Sequence, residues 1–208
     1  MTDRACILGL ILAGGLSRRM GGGDKAMLLL RGKPMVERVV ERFAPQCAGL
    51  VLNANGDPAR HASFDLPVVA DDPPEFAGPL AGVLAGLEYC ARYAPQRTHV
   101  ASLAADTPFA PRDFVARLAH AQGCGAGIAV AASGGRTHFV AALWPVALAG
   151  DLRRALGEGV RKVESFIGGY AVAVVEWPLD PIDPFFNVNT PEDLLRAETF
   201  LERSGGGL

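Results

Sequence analysis

Apolar residues follow two rhythms along this chain, and the rhythms alternate. Short, nearly continuous apolar runs occur at Ile7 to Leu12, Leu50 to Asn53, Pro67 to Ala70, His99 to Ala105, Ile128 to Ala132, Phe139 to Trp144 and Tyr170 to Val175. Their length and continuity predict strands buried on both faces. Between them apolar positions recur three and four apart: Met35, Val36, Val39, Val40 and Phe43, then Leu80, Val83, Leu84, Leu87 and Cys90, then Phe114, Val115 and Leu118. Leu148, Leu152 and Leu156 continue the pattern, as do Val160, Val163, Phe166 and Ile167. These are the buried stripes of amphipathic helices. Strands taking turns with helices predict a three-layer α/β/α fold with a predominantly parallel sheet and right-handed crossovers. Its ligands should lie beyond the carboxyl ends of the strands.

Local signals refine the picture. Pro34 and Pro79 suit the first turns of helices, and Gly82 and Gly86, four apart, predict a face where another backbone comes close. Ser133-Gly134-Gly135-Arg136 joins two strands as a hairpin-like insertion, which makes the central sheet mixed. Pro178, Pro181 and Pro184 mark a loop. Thr190-Pro191-Glu192-Asp193 reads as a helix start with Thr190 as N-cap, and Leu194, Leu195 and Leu201 supply the buried face. Residues 1–203 are expected to form a single domain, with 204–208 a flexible glycine-rich tail.

The chemistry concentrates after the first strand. That strand stops at Gly14-Gly15, and Ser17, Arg18, Arg19, Gly21, Gly22, Gly23 and Lys25 follow at once. Glycines uncover backbone N–H groups and admit close approach, while the interleaved cations favour a polyphosphate. Two common phosphate loops are excluded. Lys25 is flanked by Asp24 and Ala26, not by the Gly and Ser/Thr of a Walker A loop, and the glycines do not continue into GxGxxG. Acids stand at two further strand ends. Asp106 is placed to hold Mg²⁺, which prefers one or two carboxylates together with phosphate oxygens, though an Asx turn before Thr107-Pro108 is the plainer reading. Asn53 and Asp71 read from the sequence alone as strand-end turn residues. His138 lacks a neighbouring nucleophile motif, which favours packing or a substrate-side role over a catalytic triad.

Composition narrows the classes. Half of the 208 residues are apolar and 20% are charged, which fits a packed core and argues against disorder. A formal net charge of −2 argues against a general nucleic-acid binder. Cys6, Cys47, Cys90 and Cys124 show no metal-binding spacing and read as reduced thiols. No apolar run reaches membrane length, and the first is too short and too acidic at its start for a signal peptide. A soluble cytoplasmic protein is therefore expected.

Leu12-Ala13-Gly14-Gly15, then Ser17-Arg18-Arg19-Met20-Gly21, then Asp24-Lys25, resembles the signature loop of the nucleotidyltransferases, most closely that of the molybdenum cofactor guanylyltransferases. Asn53, Asp71, Gly78 to Gly82, Asp106-Thr107-Pro108 and Asn187 to Pro191 fall in that family's order, so the resemblance spans about residues 6 to 200. It implies a nucleotide-binding fold, with residues 1–203 a single nucleotidyltransferase domain, and transfer of GMP from GTP to the terminal phosphate of molybdenum-bound molybdopterin, with Mg²⁺ on Asp106 and pyrophosphate released. By the same resemblance Arg19 and Lys25 hold phosphates, and Leu12, Ala13, Gly14, Gly15, Asn53 and Asp71 receive the nucleotide. Asn187 and Asn189 receive the acceptor. Molybdenum-insertion proteins and apo-molybdoenzyme chaperones are the implied protein partners. A cytidylyltransferase acting on the same cofactor is the nearest alternative. Its relatives usually carry Leu-Ala-Ala-Gly where this chain has Gly14 followed by Gly15. A non-catalytic nucleotide-binding or cofactor-carrier module is the other, but it would have no need of Asp106, Arg19 and Lys25 together.

Overall fold

In the computed structural model residues 3–14, 27–72 and 78–203 are described. The first apolar run forms β1 (Ile7–Leu12), whose pleat sends Ile7 and Ile11 to one face of the sheet and Leu8 and Leu10 to the other. A small antiparallel hairpin, β2 (Leu29–Leu30) and β3 (Lys33–Pro34), leads into α1 (Met35–Phe43), with Pro34 as its N-cap residue. Then come β4 (Leu50–Asn53), β5 (Val68–Val69), α2 (Pro79–Tyr93), β6 (His99–Ala104), α3 (Phe114–Gly123), β7 (Ile128–Ser133) and β8 (Arg136–Pro145). The chain continues through α4 (Ala149–Gly157), α5 (Val163–Ile167) and β9 (Val172–Trp177) to α6 (Pro191–Arg203).

Seven strands form one sheet in the order β5-β4-β1-β6-β8-β7-β9. Every neighbouring pair is parallel except the two that involve β8, so the sheet is mixed and mostly parallel, as the alternating pattern predicts. The exception has a local cause. Gly134 and Gly135 both take positive φ, 56° and 73°, in the two-residue connection that reverses β7 into β8.

Helices cover both faces. Val36, Val39 and Phe43 of α1 and Phe114, Val115 and Leu118 of α3 pack with Ile7 and Ile11 in one core layer. Leu80, Val83, Leu84 and Leu87 of α2, with Leu152, Leu156, Val163, Phe166 and Ile167, fill the other with Leu8 and Leu10. A third cluster of Leu30, Met35, Phe109, Val188, Ala197 and Leu201 seats α6 against the small hairpin. Among the described residues no helix is long and apolar enough to cross a membrane.

Some expectations need correction. Leu195 is not on the buried face of α6: it is 64% exposed, because Leu194, Ala197 and Leu201 share the inward stripe and Leu195 turns off it. The last strand starts at Val172, not at Tyr170. The Tyr170 amide instead donates to Ile167 O (2.9 Å) in the turn after α5, and its ring packs on Phe166. The β2–β3 hairpin was not expected, since two residues per strand leave no readable period. The tail at 204–208 lies outside the described residues.

Candidate active site

The carboxyl ends of three adjacent strands are stitched together just past the sheet. Ala13 N–H donates to Asn53 O (2.8 Å), and Ala105 N–H donates to Leu12 O (3.0 Å). Leu12, Ala13, Gly14, Asn53 and Asp106 therefore stand along one edge. Arg19, Lys25 and Gly15 lie outside the described residues.

At the β4 end Asn53 is only 3% exposed, and both protons of its amide are used. Nδ2 donates to Val69 O (3.2 Å) and to Asp71 Oδ1 (2.9 Å). Asn55 Nδ2 donates to Asp71 Oδ2 (2.8 Å), while Asp71 N–H donates back to Asn55 Oδ1 (2.9 Å). Both carboxylate oxygens of Asp71 are thus held, which fixes the direction of its remaining lone pairs. Asn55 belongs to this unit although only its turn chemistry was visible in the sequence.

Two glycines make room for the cluster. A Cβ on Gly82 would collide with Asn53 Oδ1 and lie 2.7 Å from Leu12 Cδ2, and one on Gly86 would strike the Leu10 side chain. The close approach expected at these glycines is therefore real, and the nearest atoms belong to the side chains of Leu10, Leu12 and Asn53. Among the described residues, a Cβ at Gly14 would meet Asn53 Oδ1 at 3.7 Å and Asn55 Nδ2 at 4.0 Å, both ordinary contacts. Gly78 enters α2 at φ 90°, ψ 178°, a conformation essentially reserved for glycine.

Asp106 follows β6. The turn after it is held by Thr107, whose hydroxyl donates to Ala104 O (2.6 Å) and whose amide reaches the same oxygen (3.3 Å). Among the described residues no three His, Cys, Asp or Glu side chains gather as a metal cage. Asp106 offers one carboxylate, a donor set that suits Mg²⁺ completed by phosphate oxygens and water.

Beside Asp106 the sheet opens. Pairing of β6 with β8 runs from His99↔Pro145 to Ser102↔Ala142. On the other side β8 shifts register against β7, from Val130↔Ala142 to Ala131↔His138, so Phe139, Val140 and Ala141 bulge from the ladder. Ser102 Oγ, donating to Val140 O (2.6 Å) and accepting from Trp144 Nε1 (2.8 Å), pins the base of the bulge. The gap is a cavity of about 430 Å³, walled by Leu103, Ala104, Thr107, His138, Phe185 and Asn187, with Arg136, Arg161 and Lys162 bringing positive charge.

His138 is 9% exposed and stacks on Phe185 with ring centroids 4.8 Å apart. Its Nε2 lies 2.7 Å from Ser133 Oγ, which donates to Asp183 Oδ1 (2.7 Å). This is no catalytic triad, because the carboxylate faces the hydroxyl and not the imidazole. Burial is the leading cause that pushes the His138 pKa down, with Asp183 opposing it, so the ring is neutral near pH 7. Asn187 lines the cavity, whereas Asn189 is exposed, and the two flank buried Val188. Past them Thr190 caps α6 as expected: Asp193 N–H donates to Thr190 Oγ1 (3.1 Å), and Asp193 Oδ2 accepts from Thr190 N–H (3.0 Å).

The sequence profile of the MobA-like NTP transferase domain matches residues 9–173. This chain belongs to that family. A molybdenum cofactor guanylyltransferase from Bradyrhizobium sp. is 58% identical over 194 residues, 91% of each chain. One of the same name from Rhodopseudomonas palustris is 54% identical over 200 residues, 95% of each. Among solved structures, the molybdopterin-guanine dinucleotide biosynthesis protein A of Archaeoglobus fulgidus superposes with TM-score 0.74 at 25% identity, covering 94% of this chain and 99% of that one. A manganese complex of Rv0371C from Mycobacterium tuberculosis shares the fold at TM-score 0.66 and 18% identity, covering 93% and 98%. For a MobA-like NTP transferase, the stitched strand ends are where nucleotide chemistry is expected.

Proposed function

We propose that the chain transfers GMP from GTP to the terminal phosphate of molybdenum-bound molybdopterin, forming molybdopterin guanine dinucleotide and releasing pyrophosphate. One observation carries the assignment of parts: the strand order sets the Asn53–Asp71 cluster, Asp106 and the cavity side by side along the sheet edge. Base, reacting phosphates and acceptor then fall in a row.

The base lies against Gly14 and the Asn53–Asp71 unit, where a missing Cβ leaves space and fixed polar atoms can meet a purine edge. Leu12, Ala13 and Gly15 supply backbone there. Asp106 holds Mg²⁺, whose chemistry when bound is to neutralise phosphate charge. Arg19 and Lys25 hold the departing pyrophosphate, an arginine fork being suited to a phosphate's paired oxygens. Asn187 and Asn189 receive the acceptor without adding charge to an already anionic partner. No protein nucleophile is required, since the acceptor phosphate attacks directly and the chain's task is alignment and charge stabilisation. The free thiols of Cys6, Cys47, Cys90 and Cys124 suit a cytoplasmic setting, where proteins that insert molybdenum and chaperone apo-molybdoenzymes are the natural partners.

The test is incubation with each of the four nucleoside triphosphates, Mg²⁺ and molybdenum-loaded molybdopterin, with the product identified by mass. GMP addition with one pyrophosphate per turnover is expected. Transfer of another nucleotide in preference, or triphosphate cleavage without acceptor modification, would overturn the reading.

A further inference from the structure

The Ser133–His138–Asp183 array has a fixed proton arrangement. Asp183 Oδ1, an acceptor, also takes the Phe185 amide (2.9 Å), so the short contact with Ser133 is made by the serine's only proton. Ser133 Oγ can then meet His138 Nε2 only as an acceptor, which requires the proton on Nε2. The neutral ring follows as the Nε2–H tautomer, with a bare lone pair on Nδ1. His138 is part of the cavity wall, and the β8 bulge begins immediately after it.

We infer that Ser133 and Asp183 lock His138 so that Nδ1 serves as a hydrogen-bond acceptor in the cavity, recognising an N–H of a flat heterocycle that also carries phosphate. Three features agree. The cations lining the cavity, Arg136, Arg161 and Lys162, can donate but cannot accept, so an N–H on the ligand falls to an acceptor of the wall, and of His138 Nδ1 and the Glu164 carboxylate only the neutral imidazole adds no repulsion toward the ligand's phosphate. Phe139, half-buried on the bulge, lines the same cavity and supplies an apolar wall of the kind a planar ring system packs against. The anionic part of such a ligand would meet the cations. His138 is thereby a specificity residue that touches the acceptor, and Ser133 and Asp183 are positioning residues that act through it. The inference rests on the proposed reading that the acceptor occupies this cavity.

The test uses the full chain with GTP, Mg²⁺ and molybdenum-loaded molybdopterin. His138→Gln keeps an amide N–H for Ser133 but offers no acceptor in the place of Nδ1. It should raise KM for the acceptor by about tenfold or more, with KM for GTP within about twofold and melting temperature little changed. His138→Asn, whose Oδ1 stands at the level of Nδ1, should recover much of that loss. In ¹⁵N spectra of imidazole-labelled protein, His138 should show the Nε2–H tautomer, and its Nδ1 signal should move on addition of acceptor but not of GTP alone. Ser133→Ala should mix the tautomers.

A silent His138→Gln together with an Asn187→Ala that raises the acceptor KM would overturn the inference and leave the acceptor reading standing. Silence in both would remove the acceptor from the cavity and the inference with it. Equal rises in both substrates' KM values, or an Nδ1–H tautomer in the free protein, would show His138 to be a packing residue and overturn the inference.

Discussion

The backbone N–H of Val188 donates to the carbonyl oxygen of Asp106 at 3.1 Å. The loop that carries Asn187 and Asn189 is thus tied by main chain to the strand end that carries the candidate metal carboxylate. Because the bond uses the Asp106 carbonyl, the side chain can be removed without untying the loop. Asp106→Ala should therefore lower turnover by roughly 100-fold or more while melting temperature and circular dichroism stay near those of the parent. A folded variant with near-normal Mg²⁺-dependent turnover would move the metal elsewhere.

Gly82 sets the position of Asn53. Gly82→Ala must displace Asn53 Oδ1 or Leu12, and overpacking of this kind costs about 1–3 kcal/mol. Urea unfolding should register that loss, and GTP affinity should fall with it. Gly150→Ala, in the first turn of α4, is the control, since a Cβ there meets nothing within 4 Å among the described residues and a helical alanine stabilises by up to roughly 1 kcal/mol.

Lys25 and Arg19 are expected to act on phosphates. Each alanine variant should weaken GTP binding or slow transfer by about tenfold or more, because charge-assisted contacts are worth roughly 1.5–3 kcal/mol. Kinetics indistinguishable from the parent in both variants would take the phosphate site away from this loop.

Gly14 bears on base choice. A methyl group there makes only ordinary contacts with Asn53 and Asn55 among the described residues, but it takes up space beside them that a purine would share. GTP should be preferred over CTP by about 100-fold in kcat/KM, with size alone supplying only about 1–3 kcal/mol of it. Gly14→Ala should reduce GTP use more than CTP use. Competition between the two nucleotides for one acceptor decides this, and a preference for CTP would make the chain a cytidylyltransferase.

Acid should weaken the fold through its histidines. Burial lowers the pKa of His138 and of His99 below the ordinary 6.5, so between the folded and unfolded values the unfolded chain binds more protons. The sign is that this stability is fully present above about 6.5 and is lost as pH falls below it. Urea midpoints measured at pH 7.5 and pH 5.5 should differ in that direction, and less so in His138→Gln. An unchanged difference in the variant would assign the effect to other groups.

Cys47 shows how a thiol can be withdrawn from chemistry. It is buried under Gly9 in the α1 layer, and burial drives its pKa up to about 12, against the opposing charges of Arg4 and Arg97. Alkylation of the native protein should therefore spare Cys47 and favour exposed Cys124.

The alternation of short apolar runs with helical stripes was enough to determine the layered fold, because burial on both faces leaves a parallel strand no polar side and a helix only one. Ile7 to Leu12 and Leu80 to Cys90 could hardly have formed anything else. The glycine-cation stretch and the strand-end acids likewise announced nucleotide chemistry locally, since phosphate needs donors and metal needs carboxylate. What only the tertiary structure decided lies in contacts between distant segments. Asn55 joins Asp71, Asn53 fills the space that Gly82 leaves, and Ser133 meets Asp183 across the chain. The β8 bulge that opens the cavity depends on how one strand is shared between β6 and β7, and no residue of 139–141 carries that information alone. Leu195 marks the same boundary: hydrophobicity placed it on a helix, but only packing chose which leucines of that helix would face inward.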